Sequence, residues 1–511
     1  MGHRNRCGCH IEHSAGRSPS SSDPREITRR QMDYAGNSNG SSSDGDVATA
    51  VLDGLTGEIV DQMQQLTVEP LNVPTGGSED GTLSGSRTNS VDRSSRSTAH
   101  DSWIFLDNAA QVFGRSPEIA EVTAADIRKG YDPQGYQWHG NFIQKEVYMG
   151  YRKRTYPQLQ GVYHDIRQVR KMSACIDITP SFYNFRYSAI GDKYRCQVNH
   201  LQLRDLIWAT SSYDVFYWHA DGVVCWNPWQ RTRKCVLGRS QIPKGFKMRS
   251  MCVDGGIVFV GDHQRGYCVK SLWTDAMASG SLEPGSSSSS SEEDIMNHAS
   301  SDTSRSGAHQ IIAAHNSGVV RLFDVQSLSV AKTMPFDWAV NCSTQTLDGS
   351  LQCVAGDSTD ALLVDPRRDS NNPVATLTGH LDYSFSCSFS PDGRLVATGN
   401  QDTSIRVYDV RWPQQALKTL CGYISAMRVV RFSNCGRFLL GMESADYVHV
   451  YDVQSLAKAQ VMSFMGEASG AAFSPDSNCL FLGISDAIHG NSLAEYNLAA
   501  DAAALTLSIP F

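Results

Sequence analysis

The chain has 511 residues, of which 41% are hydrophobic and 19% charged, so neither a wholly disordered chain nor a membrane protein fits its average composition. Its formal net charge of -8 argues against a protein built mainly to coat nucleic acid or an anionic membrane. The first thirty or so residues are rich in arginine and lack an apolar core, so we expect no secretory signal, no membrane span and a cytoplasmic or nuclear protein.

The first predicted segment is a disordered Ser/Gly-rich tail over residues 1–115. Its first 100 residues contain 16 Ser and 12 Gly but one aromatic residue, Tyr34, which is too little apolar surface to build a core. Apolar residues three or four apart over 47–66 form one helical stripe, which either folds onto a partner or remains a transient helix. The Cys7–His10 cluster lacks a second pair at ligand spacing, so no metal site is predicted.

The second predicted segment is a short mixed extension over residues 116–180, in which basic and aromatic residues are interleaved. Arg128 and Arg152 are among its cations, and Tyr131 and Trp138 are among its aromatic residues. Such a segment either stacks on single-stranded RNA or packs its rings on the following domain while its cations stay in water. We predict that the extension packs on the following domain, so nucleic acid is not expected as a partner. RNA binding through this extension remains the alternative function.

The third predicted segment, residues 181–511, contains an internal repeat. Strand-like stretches end in a hydrophobic residue followed by a polar one at seven places: Trp226-Asn227, Val269-Lys270, Phe323-Asp324, Val364-Asp365, Tyr408-Asp409, Tyr451-Asp452 and Tyr496-Asn497. Successive markers are 43, 54, 41, 44, 43 and 45 residues apart. A period of about 40 to 45 residues is typical of units of four short strands, which must stack to bury their apolar faces. We therefore predict an all-β ring of seven such sheets.

The interval of 54 residues predicts a long surface loop between the second and third units. It contains six consecutive serines, Ser286–Ser291, followed by three acids, and we predict a Ser-rich loop at 275–307. The excess over the period is too short to hold the whole tract. The first strand of the third unit is therefore expected near Ile295–Ala299.

Closure of the ring is expected to join the two ends of this segment, with one strand from each end in the same sheet. We predict that Ser181–Ile190 joins the last unit near Asn478–Leu498. Leu505–Phe511 is the competing candidate for the closing strand.

The clearest unit runs from Leu377 to Arg411. Its features are Gly379-His380 at the start, alternating Phe385, Cys387 and Phe389, a hairpin turn at Pro391-Asp392-Gly393, and strands at Leu395–Thr398 and Ile405–Tyr408. This unit resembles the repeat of WD-repeat (WD40) proteins, although Tyr408 stands where that family has Trp. The resemblance implies a seven-bladed β-propeller.

The resemblance also implies a hydrogen-bonded network inside this blade. In this sequence the matching residues are His380, Thr398, Asp402 and Tyr408. A polar network stabilises a blade only if each member is satisfied. A His and an Asp near a hydroxyl also suggest a hydrolase triad, but the resemblance places Thr398 inside the blade and no oxyanion-hole motif accompanies it. We therefore predict a structural role.

Several longer stretches resemble one poorly characterised WD-repeat family of green plants. They lie at 125–138, 200–216, 379–386, 397–411 and 445–452. The resemblance covers about residues 120–500. It implies no particular mechanism, because that family has no assigned biochemical activity.

The predicted function is a non-enzymatic scaffold that presents its loops to other proteins. No phosphate-binding, metalloprotease, hydrolase or dinucleotide motif occurs, and no cofactor or metal is expected. Candidate partner-binding residues lie in links between blades, at Asp337, Trp338, Asp382 and Tyr383. An exposed Trp338 would be an anchor, and a buried one would fill the space between blades.

A sharper alternative rests on Tyr408-Asp409-Val410-Arg411. This stretch resembles the WDxR box of propellers that act as substrate receptors of cullin-RING ubiquitin ligases. Arg411 would then pair with acidic or carbonyl groups of an adaptor protein.

Overall fold

The computed structural model describes residues 121–123, 125, 129, 149–150, 171, 185–191, 196–199, 204–220, 222–282, 294–303, 309–368, 372–486 and 490–498. The predicted tail and most of the predicted extension lie outside these ranges. Across the described ranges, no helix has both the length and the apolar character needed to cross a membrane.

Five sheets contain four antiparallel strands each, paired in chain order. The first comprises β3 Ile207–Ala209, β4 Val215–His219, β5 Gly222–Asn227 and β6 Thr232–Gly238. The second comprises β7 Ser250–Asp254, β8 Ile257–Gly261, β9 Gly266–Ser271 and β10 Met277–Ser281. The third comprises β11 Met296–Thr303, β12 His309–His315, β13 Val319–Asp324 and β14 Ser329–Pro335. The fourth comprises β15 Val340–Gln345, β16 Gln352–Gly356, β17 Ala361–Val364 and β18 Ala375–Leu377. The fifth comprises β19 Ser384–Phe389, β20 Leu395–Asn400, β21 Ser404–Asp409 and β22 Lys418–Cys421.

The sixth sheet has eight strands, in the order β1-β2-β28-β27-β26-β25-β24-β23. Its strands are β1 Glu121–Thr123, β2 Phe185–Gly191, β23 Met427–Phe432, β24 Phe438–Glu443, β25 Ala445–Asp452, β26 Ala459–Phe473, β27 Cys479–Asp486 and β28 Gly490–Leu498.

The described strands thus form six sheets, and the prediction of seven separate sheets is wrong. The 15-residue strand β26 is the reason. Its first part, up to Glu467, pairs with β25, and its last part, from Glu467 onward, pairs with β27. One continuous strand therefore joins two sets of strands that the repeat predicted as separate sheets.

The repeat itself is confirmed by where its markers fall. All seven lie at the same position of the repeat, on the third strand of each set: β5, β9, β13, β17, β21, β25 and β28. Trp226, Tyr408 and Tyr451 are fully buried there. These large rings face the core because alternate residues of a strand point to the same face of its sheet.

Closure occurs through the strand predicted from the N-terminal side. β2 pairs with β28, with Tyr187 opposite Tyr496, and β1 then pairs with the outer side of β2. The competing candidate Leu505–Phe511 lies outside the described residues. The first sheet meets the eight-stranded sheet where the Leu206 amide donates to the Ser469 carbonyl at 3.1 Å. The ring is therefore closed.

The range 275–307, predicted as a loop, is corrected by the structure because it contains both β10 and β11. β11 begins at Met296, as the repeat spacing predicted. The Met296 amide donates to the Asp262 carbonyl at 3.0 Å, which fixes the start of this strand against the second sheet. The serine tract lies outside the described residues.

Most of the hydrophobic core lies between neighbouring sheets, and one further cluster lies between the two halves of the eight-stranded sheet. Leu206, Phe216 and Leu237 of the first sheet pack with Met251 and Val258 of the second. The same pattern joins the second sheet to the third, the third to the fourth, the fourth to the fifth, and the fifth to the eight-stranded sheet. Each sheet thus depends on its neighbours for burial of its apolar faces.

The hairpin turn predicted in the fifth sheet is present. The Gly393 amide donates to the Ser390 carbonyl at 2.8 Å, and the Asp392 carboxylate accepts the Arg394 amide at 3.1 Å. Gly393 has φ +67°, a conformation that glycine adopts without the steric cost of a side chain.

Candidate functional site

Three of the four predicted network residues meet inside the fifth sheet. His380 Nε2 lies 2.8 Å from Thr398 Oγ1, and His380 Nδ1 lies 3.0 Å from Asp402 Oδ2. Asp402 also accepts from Ser404 Oγ at 2.6 Å and from the Leu381 amide at 3.0 Å. Because these side chains are all buried, the network ties the link before β19 to the second and third strands.

Tyr408 holds the same link at another point. Its hydroxyl donates to the Thr378 carbonyl at 2.9 Å, and burial raises its pKa. A tyrosine thus bonds to the backbone of the link from the position where the resemblance implies Trp. The hydroxyl of Thr398 lies in this buried network, away from solvent, which supports a structural role for the His, Thr and Asp.

We expect Asp402→Asn to lower the free energy of unfolding by about 2 kcal/mol at neutral pH. Burial opposes ionisation of Asp402, but the charge of His380 and hydrogen bonds from His380 and Ser404 hold its pKa well below the usual value. A depressed carboxyl pKa stabilises the fold above the unfolded value of about 3.9, and this contribution is lost as the pH falls below it. Urea denaturation at several pH values should therefore show that the difference in unfolding free energy between wild type and Asp402→Asn becomes smaller at acid pH. An equal difference at neutral and acid pH, or the same loss in Asp337→Asn, would contradict this.

The eight-stranded sheet contains a second buried network that the sequence did not reveal. Glu443, at the end of β24, accepts the amides of Tyr423, Ile424 and Ser425 at 2.7, 2.8 and 2.8 Å. His449 Nε2 lies 2.7 Å from the same carboxylate, and both side chains are buried. Tyr423 stands where the fifth sheet has His380, so the carboxylate of Glu443 holds a link that lacks the Gly-His pair. The sequence feature that could have indicated this network is a single Glu within the largely apolar stretch 438–452.

A third network crosses the centre of the ring. Asp205, just before β3, lies 2.8 Å from the Arg431 guanidinium and 3.5 Å from His298 Nε2. Asp205 precedes the first sheet, His298 lies on β11 of the third sheet, and Arg431 lies on β23, an end strand of the eight-stranded sheet, so they meet across the axis. Arg431 also lies over the Trp208 ring at 4.5 Å. Burial raises the pKa of Asp205, but Arg431 and His298 outweigh it and lower that pKa below its usual value.

The predicted partner-binding residues between sheets differ in their exposure. Trp338 is half-buried, lies 5.8 Å from the Phe336 ring and packs between the third and fourth sheets, so it fills the core instead of forming an exposed anchor. Asp337 and Tyr383 are exposed, and Asp382 is half-buried.

Arg411 lies in the turn between β21 and β22, with an exposed side chain. Its Nε donates to Asp409 Oδ1 at 2.9 Å, and a second nitrogen contacts the other carboxylate oxygen. Arg367 forms the same fork on Asp365 in the fourth sheet. The Arg411 guanidinium is therefore held by its own turn in the same way as that of another repeat.

The ring has two faces because successive turns of an antiparallel sheet lie at opposite ends of its strands. We call the lower face the one formed by the turns between first and second and between third and fourth strands. The upper face carries the remaining turns and the links between sheets. Predicted residues Asp337, Asp382 and Tyr383 lie on the upper face, and Arg411 lies on the lower one.

Exposed large hydrophobic side chains are concentrated on the lower face. Ten occur among the described residues: Tyr213, Trp229, Trp273, Met277, Leu328, Leu347, Val374, Tyr383, Trp412 and Leu417. Eight lie in lower-face turns, and Met277 begins the strand that follows such a turn. Tyr383 is the exception on the upper face. Sequence reasoning missed this because strand order, which assigns turns to faces, had to be known first.

No group of three or more His, Cys, Asp or Glu residues in the described part of the chain is placed to hold a metal ion. The networks described above consist of buried side chains that join links and strands within the ring.

Comparison with known proteins agrees with the repeat. The family described as "WD domain, G-beta repeat" matches residues 371–409, which include β18 to β21. The chain is 27% identical over 116 residues to transcription initiation factor TFIID subunit 5 of Caenorhabditis elegans, which covers 22% of this chain and 16% of that protein. It is 32% identical over 104 residues to target of rapamycin complex subunit LST8 of Saccharomyces cerevisiae, covering 20% of this chain and 34% of that protein.

Among solved structures, a chain in the crystal structure of the mitotic checkpoint complex is similar, with a TM-score of 0.40 and 18% identity over 47% of this chain and 70% of that chain. The chain spans at most about a third of the length of the two sequence relatives. The resemblance to a plant-type family stays a prediction. The chain therefore contains a WD repeat at residues 371–409, and this repeat is set in a closed ring of antiparallel sheets, which is the β-propeller fold.

Proposed function

We propose that this protein is a non-enzymatic scaffold that assembles other proteins on the lower face of its propeller. One observation carries the proposal: of ten exposed large hydrophobic side chains in the described residues, eight lie in lower-face turns and a ninth, Met277, directly follows such a turn. Exposed apolar side chains gathered on one face are typical of protein interaction sites. Trp229, Trp273 and Trp412 supply large rings of the kind that contribute most to binding energy.

The relatives support the same general role. By their names, one is a subunit of TFIID and the other a subunit of the target of rapamycin complex. A role in protein complexes is thus compatible with this repeat. It does not name the partners of this chain.

The two sharper alternatives have less support. The ubiquitin-ligase receptor requires Arg411 to reach an adaptor, but Arg411 is already forked onto Asp409. RNA binding through the basic aromatic extension depends on residues that lie mostly outside the described ranges.

We expect the triple variant Trp229→Ala, Trp273→Ala and Trp412→Ala to lose most partners of the full chain. Each side chain is at least 71% exposed, so its removal should reduce contact with partners without opening a core cavity. Quantitative affinity capture from the native cell, with the far-ultraviolet circular dichroism of each variant as a folding check, measures this. The matched control is an upper-face variant with Asp337, Asp382 and Tyr383 changed to Ala. Loss of partners in the control, and retention in the triple variant, would overturn the proposal.

A further inference from the structure

A groove with a volume of about 1020 Å³ opens on the lower face, where the first and second sheets supply most of its lining and the fourth and eight-stranded sheets supply the rest. Its lining includes the apolar Trp208, Val236, Leu272 and Trp273, the basic Arg233 and Lys234, and Arg431, which is already paired with Asp205. The groove thus combines apolar side chains of the first two sheets with two exposed cations of β6. A cavity of this size can take several side chains of a bound segment.

Trp273 is fixed in this groove although it is 80% exposed. Its ring rests on Gly256, where a Cβ atom would lie 2.3 Å from the ring. Gly256 also has φ +77°, so a larger residue would be strained there. The backbone at Gly256 thus supports one side of the Trp273 ring, and the exposed remainder of the ring can contact an apolar side chain of a partner.

Arg233 and Lys234 lie in a stretch of the chain whose charged residues are all positive. Residues 222–253 contain seven Lys or Arg and no Asp or Glu, although the whole chain has a net charge of -8. Arg233 and Lys234 are exposed on β6. The acids that line the groove, Asp214 and Asp254, lie in the turns after β3 and at the end of β7.

We propose that this groove binds an acidic segment of a partner protein. An apolar side chain of that segment packs on Trp273 and Trp208, and its carboxylates face Arg233 and Lys234. Charged hydrogen bonds of this kind are strong and set the orientation of the segment. The inference rests on the proposed scaffold function, because it names the chemistry of one partner on the same lower face.

The groove fits a protein segment better than single-stranded RNA. RNA would bring a phosphate at every nucleotide, and phosphates would meet the carboxylates of Asp214 and Asp254 as well as the cations. A peptide can place acids only opposite β6. The acidic character of the whole chain also disfavours a general polyanion partner.

The test is selection of random peptides of about twelve residues, displayed on phage, against the full-length protein. Some peptides should be recovered by the wild type at least about tenfold better than by Trp273→Ala. We expect these peptides to be enriched in Asp or Glu together with Leu or aromatic residues. The double variant Arg233→Glu and Lys234→Glu should select peptides enriched in Lys and Arg instead. The control Tyr383→Ala, which removes an exposed ring on the upper face, should retain the wild-type peptides.

The proposal is overturned if no peptide depends on Trp273, if dependent peptides show no acidic enrichment, or if charge reversal leaves the selection unchanged. Binding of an oligouridine of about the same length, with no Trp273-dependent peptide, would assign the groove to nucleic acid and also overturn it. Failure of the selection while the triple tryptophan variant still loses its partners would leave the scaffold function standing. Failure of both experiments would remove both proposals.

Discussion

Replacing Glu443 with Ala is expected to lower the free energy of unfolding by about 3 to 5 kcal/mol. The substitution removes one buried carboxylate that accepts three backbone amides and contacts His449 at 2.7 Å. The amides of 423–425 would then be buried without this acceptor, and His449 would lose its acid partner. Thermal and urea denaturation of the full chain measure the loss.

A second variant keeps this test informative if Glu443→Ala does not fold. Glu443→Gln keeps the shape and one acceptor oxygen, so we expect about half of the loss. Asp337→Ala, which removes an exposed acid on the upper face, should change stability by less than about 0.5 kcal/mol. A Glu443→Ala protein as stable as the Asp337→Ala control would show that this carboxylate does not hold the link.

The repeat could be predicted because its markers coincide with burial. Each marker ends or lies within a third strand, where every second side chain must face the core, so the aromatic or branched residue recurs at the same position. The network of His380, Thr398 and Asp402 could be predicted for a related reason. Its residues occur at recognisable spacing in the one unit that retains the signature, and the structure places them within hydrogen-bond distance.

The sheet count could not be predicted from the same pattern. Whether a chain turns between two sheets or passes straight through depends on local backbone geometry around Phe464–Gly466, not on spacing. The stretch is apolar, and β26 runs through it without a break in strand structure, although Gly466 has φ +117°. The period therefore fixed the number of third strands but not the number of hydrogen-bonded sheets.

The candidate site was harder to predict than the fold. Glu443 replaces a missing His from a different strand, so no motif search aligned to Gly-His could find it. Trp338 and Trp273 are both tryptophans in polar loops, yet one is packed between sheets and the other stands on Gly256. The sequence around each tryptophan does not distinguish a buried ring from an exposed one, because this depends on tertiary packing.

The axial network of Asp205, Arg431 and His298 should make stability depend on pH in the alkaline range. Burial lowers the pKa of His298, but Cys342 and Asp205 outweigh it and raise this pKa to about 10. The unfolded value is about 6.5, so the charged His298 stabilises the fold fully below pH 6.5 or so, and this contribution is lost as the pH rises toward 10. At pH values up to about 6.5, we expect Asp205→Asn to lower the free energy of unfolding by on the order of 3 kcal/mol, because it leaves Arg431 and His298 without their acid.

Two measurements separate this account from a general loss of packing. Urea denaturation from about pH 6 to pH 10 should show the gap between wild type and Asp205→Asn narrowing as His298 loses its proton. Part of the gap should persist at the upper end, because Arg431 remains charged there. His298→Gln should abolish the narrowing while keeping similar side-chain volume. A constant gap across this range, or the same pH dependence in His298→Gln, would mean that His298 is not charged at the centre of the ring.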